Sequence, residues 1–314
     1  MVLTLPSTYF RFERHVRAAP VRSPALERFL AYADMHAAVA DWRSEAQLLI
    51  GGPAASVLRA APAAFLAEVG AAPAAGKAEH VFLAAPLHAR ASMTSVGLPH
   101  SGVLALTPGE ARDIAADFNE RLECGGARLF AGASGRLFCT FDAPLTVETR
   151  APDLIQGYDL WDFQPTGPDA ARLKKLGSEV EMWLFGHPLN QRRSERGELE
   201  ITGLWLWGGD PIVDRLPPRR FEFTGTDVLF SAWAGCAPAA ALGRIVHCAA
   251  APGEPGFDKC ASAPLDEAGR ALRRGRVDAL YFSCGTRCFT VRRMPRWPFR
   301  RTRPWWEHFD DSDS

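Results

Sequence analysis

The chain predicts an α/β protein: a mainly parallel sheet flanked by helices, carrying an inserted α+β unit. Three observations predict it. From Pro211 onward, short apolar runs alternate with helical patterns, the order expected of strands and crossovers in a parallel sheet. Ile201 to Trp207 reads ITGLWLW, apolar on both faces, as in a strand buried in the middle of a sheet that helices cover. Between about 80 and 200, two strands, a helix, two strands and a long helix succeed one another. The expected organisation is a core of 1–79 and 201–314, an inserted unit of 80–200, and a tail over 292–314 that is basic and aromatic, then acidic.

The elements follow in order. Residues 24–38 predict a helix, with Ser23 as cap, Pro24 in the first turn and Leu26, Phe29, Leu30 and Ala33 as the apolar face. Short helices joined by turns continue to Ala75, because Leu48, Leu49, Ile50, Leu58, Phe65 and Leu66 need burial. His80 to Leu87 predicts a strand, and Pro99 to Leu106 a turn into another. Thr107, Pro108 and Glu110 form a capping box for a helix running to Cys124. Leu129–Phe130 and Leu137–Phe141 predict a hairpin around GASG. Beyond Pro211, strands are expected at 227–230, 244–248, 277–283 and 288–292, with helices at 238–242 and 265–274.

Composition excludes several function classes. At 314 residues the chain makes one large domain or two modest ones. Its 36 Lys and Arg balance 36 Asp and Glu, so no global charge draws it to nucleic acid or to a membrane. No apolar run approaches the roughly 18 residues of a membrane span, and MVLTLPSTYFRFERH lacks the plan of a secretory signal. A cytoplasmic location is expected. Seven cysteines, an odd and scattered set, read as reduced and mostly buried thiols. Cys284 and Cys288 are close in sequence, but no second cysteine or histidine pair accompanies them, so no metal site is expected. Arginines and tryptophans interleave from Arg292 to Trp306; the expected role is packing on the body, since no nucleic-acid module is present.

The densest pattern runs from Pro168 to Asp210. Leu173, Leu176, Val180, Trp183, Leu184 and His187 recur at helical steps, with Pro168 placed in the first turn. Gly186 and His187–Pro188 interrupt that helix, and a restart at Pro188 would close at Gly197. His187 would then cap the second piece, with Asn190 and Arg193 sharing a face. A histidine, an amide and a guanidinium near a helix start suit a phosphate or carboxylate; the same residues also suit capping and an ordinary surface arginine. Trp207, Gly208 and Gly209 end the buried strand, where an α/β sheet lets backbone approach a ligand. The expectation is that the trio and the glycine turn line one cleft.

The order His187-Pro188-x-Asn190-x-x-Arg193-x-x-x-Gly197, followed by Leu204-Trp205-Leu206-Trp207-Gly208-Gly209, resembles a segment of the archaeal-type cofactor-independent phosphoglycerate mutases. It is closer to bacterial relatives labelled RpfE-type regulatory proteins. The resemblance implies a reduced alkaline-phosphatase-like core with an inserted α+β domain. It implies a substrate-binding role for the strand LAAPLHAR, where Pro86, His88 and Arg90 persist but Leu83 and Ala85 occupy the family's arginine and acid positions. The related enzymes use two divalent cations, Mn, Zn or Mg, held by Asp and His, and a Ser or Thr nucleophile. No counterpart of the glycine–x–x–aspartate element precedes Ser23, and SCGTRCFTVRRMPRWPF stands where the late ligands would fall. Asp34 with His36, and His308 with Asp310, each bring an acid and an imidazole close together, and both pairs read as surface or cap residues. Catalytic residues are therefore unassigned, and no cofactor is expected. The reading is a mutase-like pseudoenzyme that binds a small anionic metabolite or a protein partner in a regulatory role. The alternative is an active, metal-dependent mutase or phosphatase.

Overall fold

The computed structural model describes residues 7–12, 21–37, 41–51, 57–70, 78–122, 125–236, 238–285, 287–294 and 300–309. The chain begins with β1 (Ser7–Phe12), α1 (Pro24–Leu30), β2 (Asp34–Ala37), α2 (Trp42–Gly51) and α3 (Ala60–Glu68). Next come β3 (His80–Leu87), β4 (Arg90–Ala91), β5 (Val96–Gly97), α4 (Pro108–Arg121), β6 (Arg128–Ala131) and β7 (Leu137–Phe141). Then follow α5 (Ala170–Phe185), α6 (Pro188–Glu195), β8 (Gly203–Pro211), β9 (Arg219–Thr224) and α7 (Val228–Ala234). β10 (Pro238–Cys248), α8 (Pro255–Arg273), β11 (Leu280–Cys284), β12 (Arg287–Val291) and α9 (Trp305–Phe309) complete the order.

These elements divide into two units, Met1–Val57 with Pro217–Ser314, and Leu58–Leu216. The first holds a six-stranded sheet ordered β2-β12-β11-β1-β10-β9. β9, β10, β1 and β11 run parallel; at one side β12 pairs antiparallel with β11, and β2 antiparallel with β12. Helices cover both faces, as a parallel sheet requires. Phe10, Phe12, Val246, Cys248, Phe282 and Val291 meet Leu26 and Phe29 of α1, Leu265 of α8 and Trp305 and Phe309 of α9. Because strand side chains alternate, Tyr9, Arg11, Ile245 and His247 face the other way, toward α2.

Several local expectations give way here. Residues 34–37 form β2 rather than the end of a helix, because β12 supplies a ladder from Asp34–Thr290 to Ala37–Arg287. Residues 227–230 open α7 instead of a strand: the Asp227 carboxylate accepts from the Leu229 and Phe230 N–H groups at 3.0 and 3.2 Å, an N-cap that a short apolar run alone does not reveal. The alanine-rich residues 238–242 belong to β10 rather than to a helix: Pro238 pairs with Arg219 and Gly243 with Phe221 of β9, and the register shift between them makes 239–242 an irregular stretch of the strand. The tail packs inward as expected: Trp305 is buried and its Nε1 donates to Val21 O at 2.9 Å. Asp310, Asp311 and Asp313 lie outside the described residues.

The second unit holds an antiparallel sheet ordered β6-β7-β3-β8 and the short ribbon β4-β5. The capping box at Thr107 forms, with Thr107 N donating to Glu110 at 2.9 Å and Glu110 N to the threonine hydroxyl at 3.2 Å. The hairpin of β6 and β7 forms as well. α5 starts at Ala170, one residue beyond its cap Asp169, so Pro168 precedes the helix rather than opening it. The segment ITGLWLW is not an interior strand of the parallel sheet; β8 is the edge strand of this antiparallel one, paired with β3 alone. Its double-sided apolar pattern has a different cause. Leu204 and Leu206 pack on the α4–α5 cluster, and Trp205 and Trp207 take the opposite face, so both faces are covered at an edge. No described helix is long and apolar enough to cross a membrane.

Candidate functional site

The expected anion trio is built into the second unit's framework. His187 caps α6 by accepting from Leu189 N–H through Nδ1 at 3.1 Å, and its Nε2 lies 3.3 Å from Asp117. Burial lowers its basicity below the ordinary imidazole value, against the opposing pull of Asp117. Asn190 donates to Leu184 O and Ile201 O at 2.9 and 2.8 Å and accepts from Ile201 N–H at 2.8 Å, tying α5 to the lead-in of β8. Arg193 donates to Leu199 O at 2.9 Å and to Glu110 at 3.0 Å, with Glu198 at 3.4 Å. The restart at Pro188 and the closing turn at Gly197, φ +71°, are as expected.

These residues do not share a cleft with the glycine turn. They hold the start of β8, whereas Gly208 and Gly209 lie near its end, beyond five intervening strand residues. There the ladder passes from Leu83–Trp207 to Val81–Asp210, so two β8 residues oppose one on β3. Gly208 adopts φ +65°, and a Cβ on it would stand 3.2 Å from Ala60 of α3, while the Phe82 ring occupies the space above Gly209. This is a β-bulge with a left-handed glycine, packed closely. His88 is half-buried, with Nδ1 2.8 Å from Glu200 O, and Arg90 is exposed in β4. Trp207 is buried.

A different set gathers in the first unit. Strand register places His247 beside Arg11, Arg11 beside Ser283, Ser283 beside Cys288, and Cys288 beside His36. Directly paired residues project to the same face, so five polar side chains cross the sheet in one row. The row lies within two residues of the carboxyl ends of β1, β10 and β11, the edge where open α/β sheets bind ligands. A central sheet buried on both faces ordinarily carries apolar residues there.

α2 closes over this row. The Trp42 ring stacks on His247 at 5.3 Å and stands 5.5 Å from the Arg11 guanidinium. Arg43 donates to Asp227 at 2.7 Å, and both are buried, so that charge is matched. Arg11 differs. It is 1% exposed, its Nη1 donates to Ser283 Oγ and Gly285 O at 3.1 Å each, and its Nε has no hydrogen-bond partner among the described residues. No carboxylate of the described residues pairs with it. Glu45 is the row's anion: Tyr9 donates to its Oε2 at 2.6 Å, and His36 Nε2 lies 3.7 Å from its Oε1. Burial first, then Glu45, raises the Tyr9 phenol well above its ordinary value and keeps the Cys288 thiol protonated.

His36 and Cys288 each stand out in the sequence, but nothing in it joins them to each other or to Glu45. Asp34, the acid expected beside His36, is exposed and pairs with Thr290 in the β2–β12 ladder. Asp310, the expected partner of His308, lies outside the described residues.

No protein-family model and no curated protein sequence matches the chain. Among solved structures, it is similar to a cofactor-independent phosphoglycerate mutase from Thermoplasma acidophilum DSM 1728. Identity is 12%, with 92% of this chain and 89% of that chain covered and a TM-score of 0.37. It is also similar to the PH0037 protein from Pyrococcus horikoshii, at 11% identity, with 96% and 91% covered and a TM-score of 0.43. With TM-scores below 0.5, the chemistry rests on this chain's own residues.

Proposed function

We propose that the chain binds a small anionic metabolite at the carboxyl ends of β1, β10 and β11, in a regulatory role and without a working pair of catalytic metal ions. The carrying observation is Arg11, a buried guanidinium with a hydrogen-bonding group left over and no carboxylate paired to it among the described residues. A buried charge without a counter-charge is costly, and a phosphate or carboxylate accepting from Nε would relieve that cost. The pseudoenzyme side of the reading is supported by the row itself. Arg11, His247 and Ser283 are not the cluster of hard oxygen ligands that two phosphoryl-transfer cations need.

The test is thermal shift with inorganic phosphate and 3-phosphoglycerate as probes, alongside a turnover assay. A probe at 100 times its dissociation constant stabilises by about 2.7 kcal/mol. The expected result is stabilisation by a probe, lost in Arg11→Met, and negligible conversion of 3-phosphoglycerate with added Mn²⁺ or Co²⁺. Stabilisation that survives in Arg11→Met would place the anion elsewhere. Metal-dependent turnover would make the chain an enzyme.

A further inference from the structure

We infer that His36, Glu45 and Cys288 form a binding site for one zinc-class divalent ion. Among the described residues these three offer ligand atoms that all lie within 4.8 Å of one another. A tetrahedral ion with bonds of about 2.0–2.3 Å sets its ligand atoms roughly 3.3–3.8 Å apart, so closure needs side-chain shifts of about 1 Å. The ligands come from three different elements. Cys288 of β12 and His36 of β2 are a directly opposed cross-strand pair, and α2 lays Glu45 over them.

The surrounding groups orient the donors as metal sites require. The Tyr9 hydroxyl holds Glu45 through Oε2, leaving Oε1, the oxygen nearer His36, for the ion. Thr290 Oγ1 lies 3.4 Å from His36 Nδ1, which leaves Nε2 turned toward Glu45. Glu45 is 4% exposed and Cys288 is fully buried, so two of the three ligands are already out of water. The His36 side chain is 40% exposed, which gives an ion its path in and leaves the fourth position to water. One thiolate, one imidazole and one carboxylate select a zinc-class ion over magnesium or calcium, which prefer oxygen throughout. On binding, the Cys288 S–H bond gives way to a sulfur–metal bond and the proton leaves to solvent. Arg11 is not a ligand, so the site stands independently of the anion reading.

The experiment uses the full chain, stripped with a chelator and titrated with Zn²⁺ and Co²⁺. The expected result is uptake of one equivalent, with a thiolate-to-cobalt charge-transfer band. Cys288→Ser removes that band, His36→Ala weakens the ion by on the order of 10-fold or more, and Cys260→Ser leaves binding intact. Absence of stoichiometric uptake, or a band that persists in Cys288→Ser, overturns the site. If Cys288→Ser does not fold by circular dichroism, His36→Ala and Glu45→Gln decide: unchanged affinity in both overturns it equally.

Discussion

Replacing Arg193 by alanine separates a structural arginine from an anion-binding one. The structure makes it structural. Arg193 is 5% exposed and joins three segments: its own helix α6, the carbonyl of Leu199 ahead of β8, and Glu110 in the capping box of α4. Breaking a buried ion pair from one side costs about 3–5 kcal/mol. Glu110 keeps Arg196 at 2.7 Å and its bonds to Thr107, so the lower end applies, about 3 kcal/mol. At 2–4 °C per kcal/mol for a unit of this size, the melting temperature falls by roughly 6–12 °C. Arg193→Lys recovers only part, because an ammonium cannot reach the carbonyl and the carboxylate with one planar fork. The assay is calorimetry or thermal circular dichroism without added ligand. A fall of less than about 2 °C would refute the reasoning, and would return Arg193 to the surface role that its sequence position also allowed.

Two further outcomes follow from the second unit. His187 has a folded basicity below its unfolded value of about 6.5, so folding favours the neutral ring; its contribution is complete above that pH and lost as pH falls below it. His187→Asn keeps a capping acceptor but removes the titration, so between about pH 7 and 5 the variant's melting temperature should fall less than the parent's; an equal slope contradicts this. Gly208→Ala places a side chain at φ +65° and should cost about 1–2 kcal/mol, while Gly209→Ala must displace the Phe82 ring and should cost more; the reverse order, by denaturant unfolding, would contradict the bulge.

What the sequence made legible was local. The capping box at Thr107, the hairpin of β6 and β7, the restart at Pro188 and the strand His80–Leu87 all form, because each is decided by residues a few positions apart. Propensity failed where a distant partner decides: β2 exists through β12, some 250 residues away, and β10 is anchored to β9 on either side of residues 239–242. His187 caps α6 and Asn190 lies in its first turn as expected, while Arg193 lies in its last turn; polar groups on so short a helix can serve the backbone or a ligand. Only the bonds to Ile201, Leu199 and Glu110 separate the two.

β1 is the most telling omission. Ser7–Phe12, STYFRF, lies at the centre of the six-stranded sheet, yet it does not read as a buried parallel strand. Phe10 and Phe12 meet the expectation for one face, while Tyr9 and Arg11 violate it on the other. Local rules fail where a chain sets stability aside for a site. The charges there show what such a site would do. With Cys288 protonated, Arg11 and Glu45 are its unmatched ionic groups, of opposite sign, since Arg43 is neutralised by Asp227. A divalent ion that displaces the thiol proton adds two positive charges and one negative. The row then carries a net positive charge, centred between the ion and Arg11, in surroundings that screen it poorly. An anion would therefore meet a neutral row before the ion binds and a cationic one afterwards, so the ion and an anion at Arg11 strengthen each other's binding, although each can bind without the other.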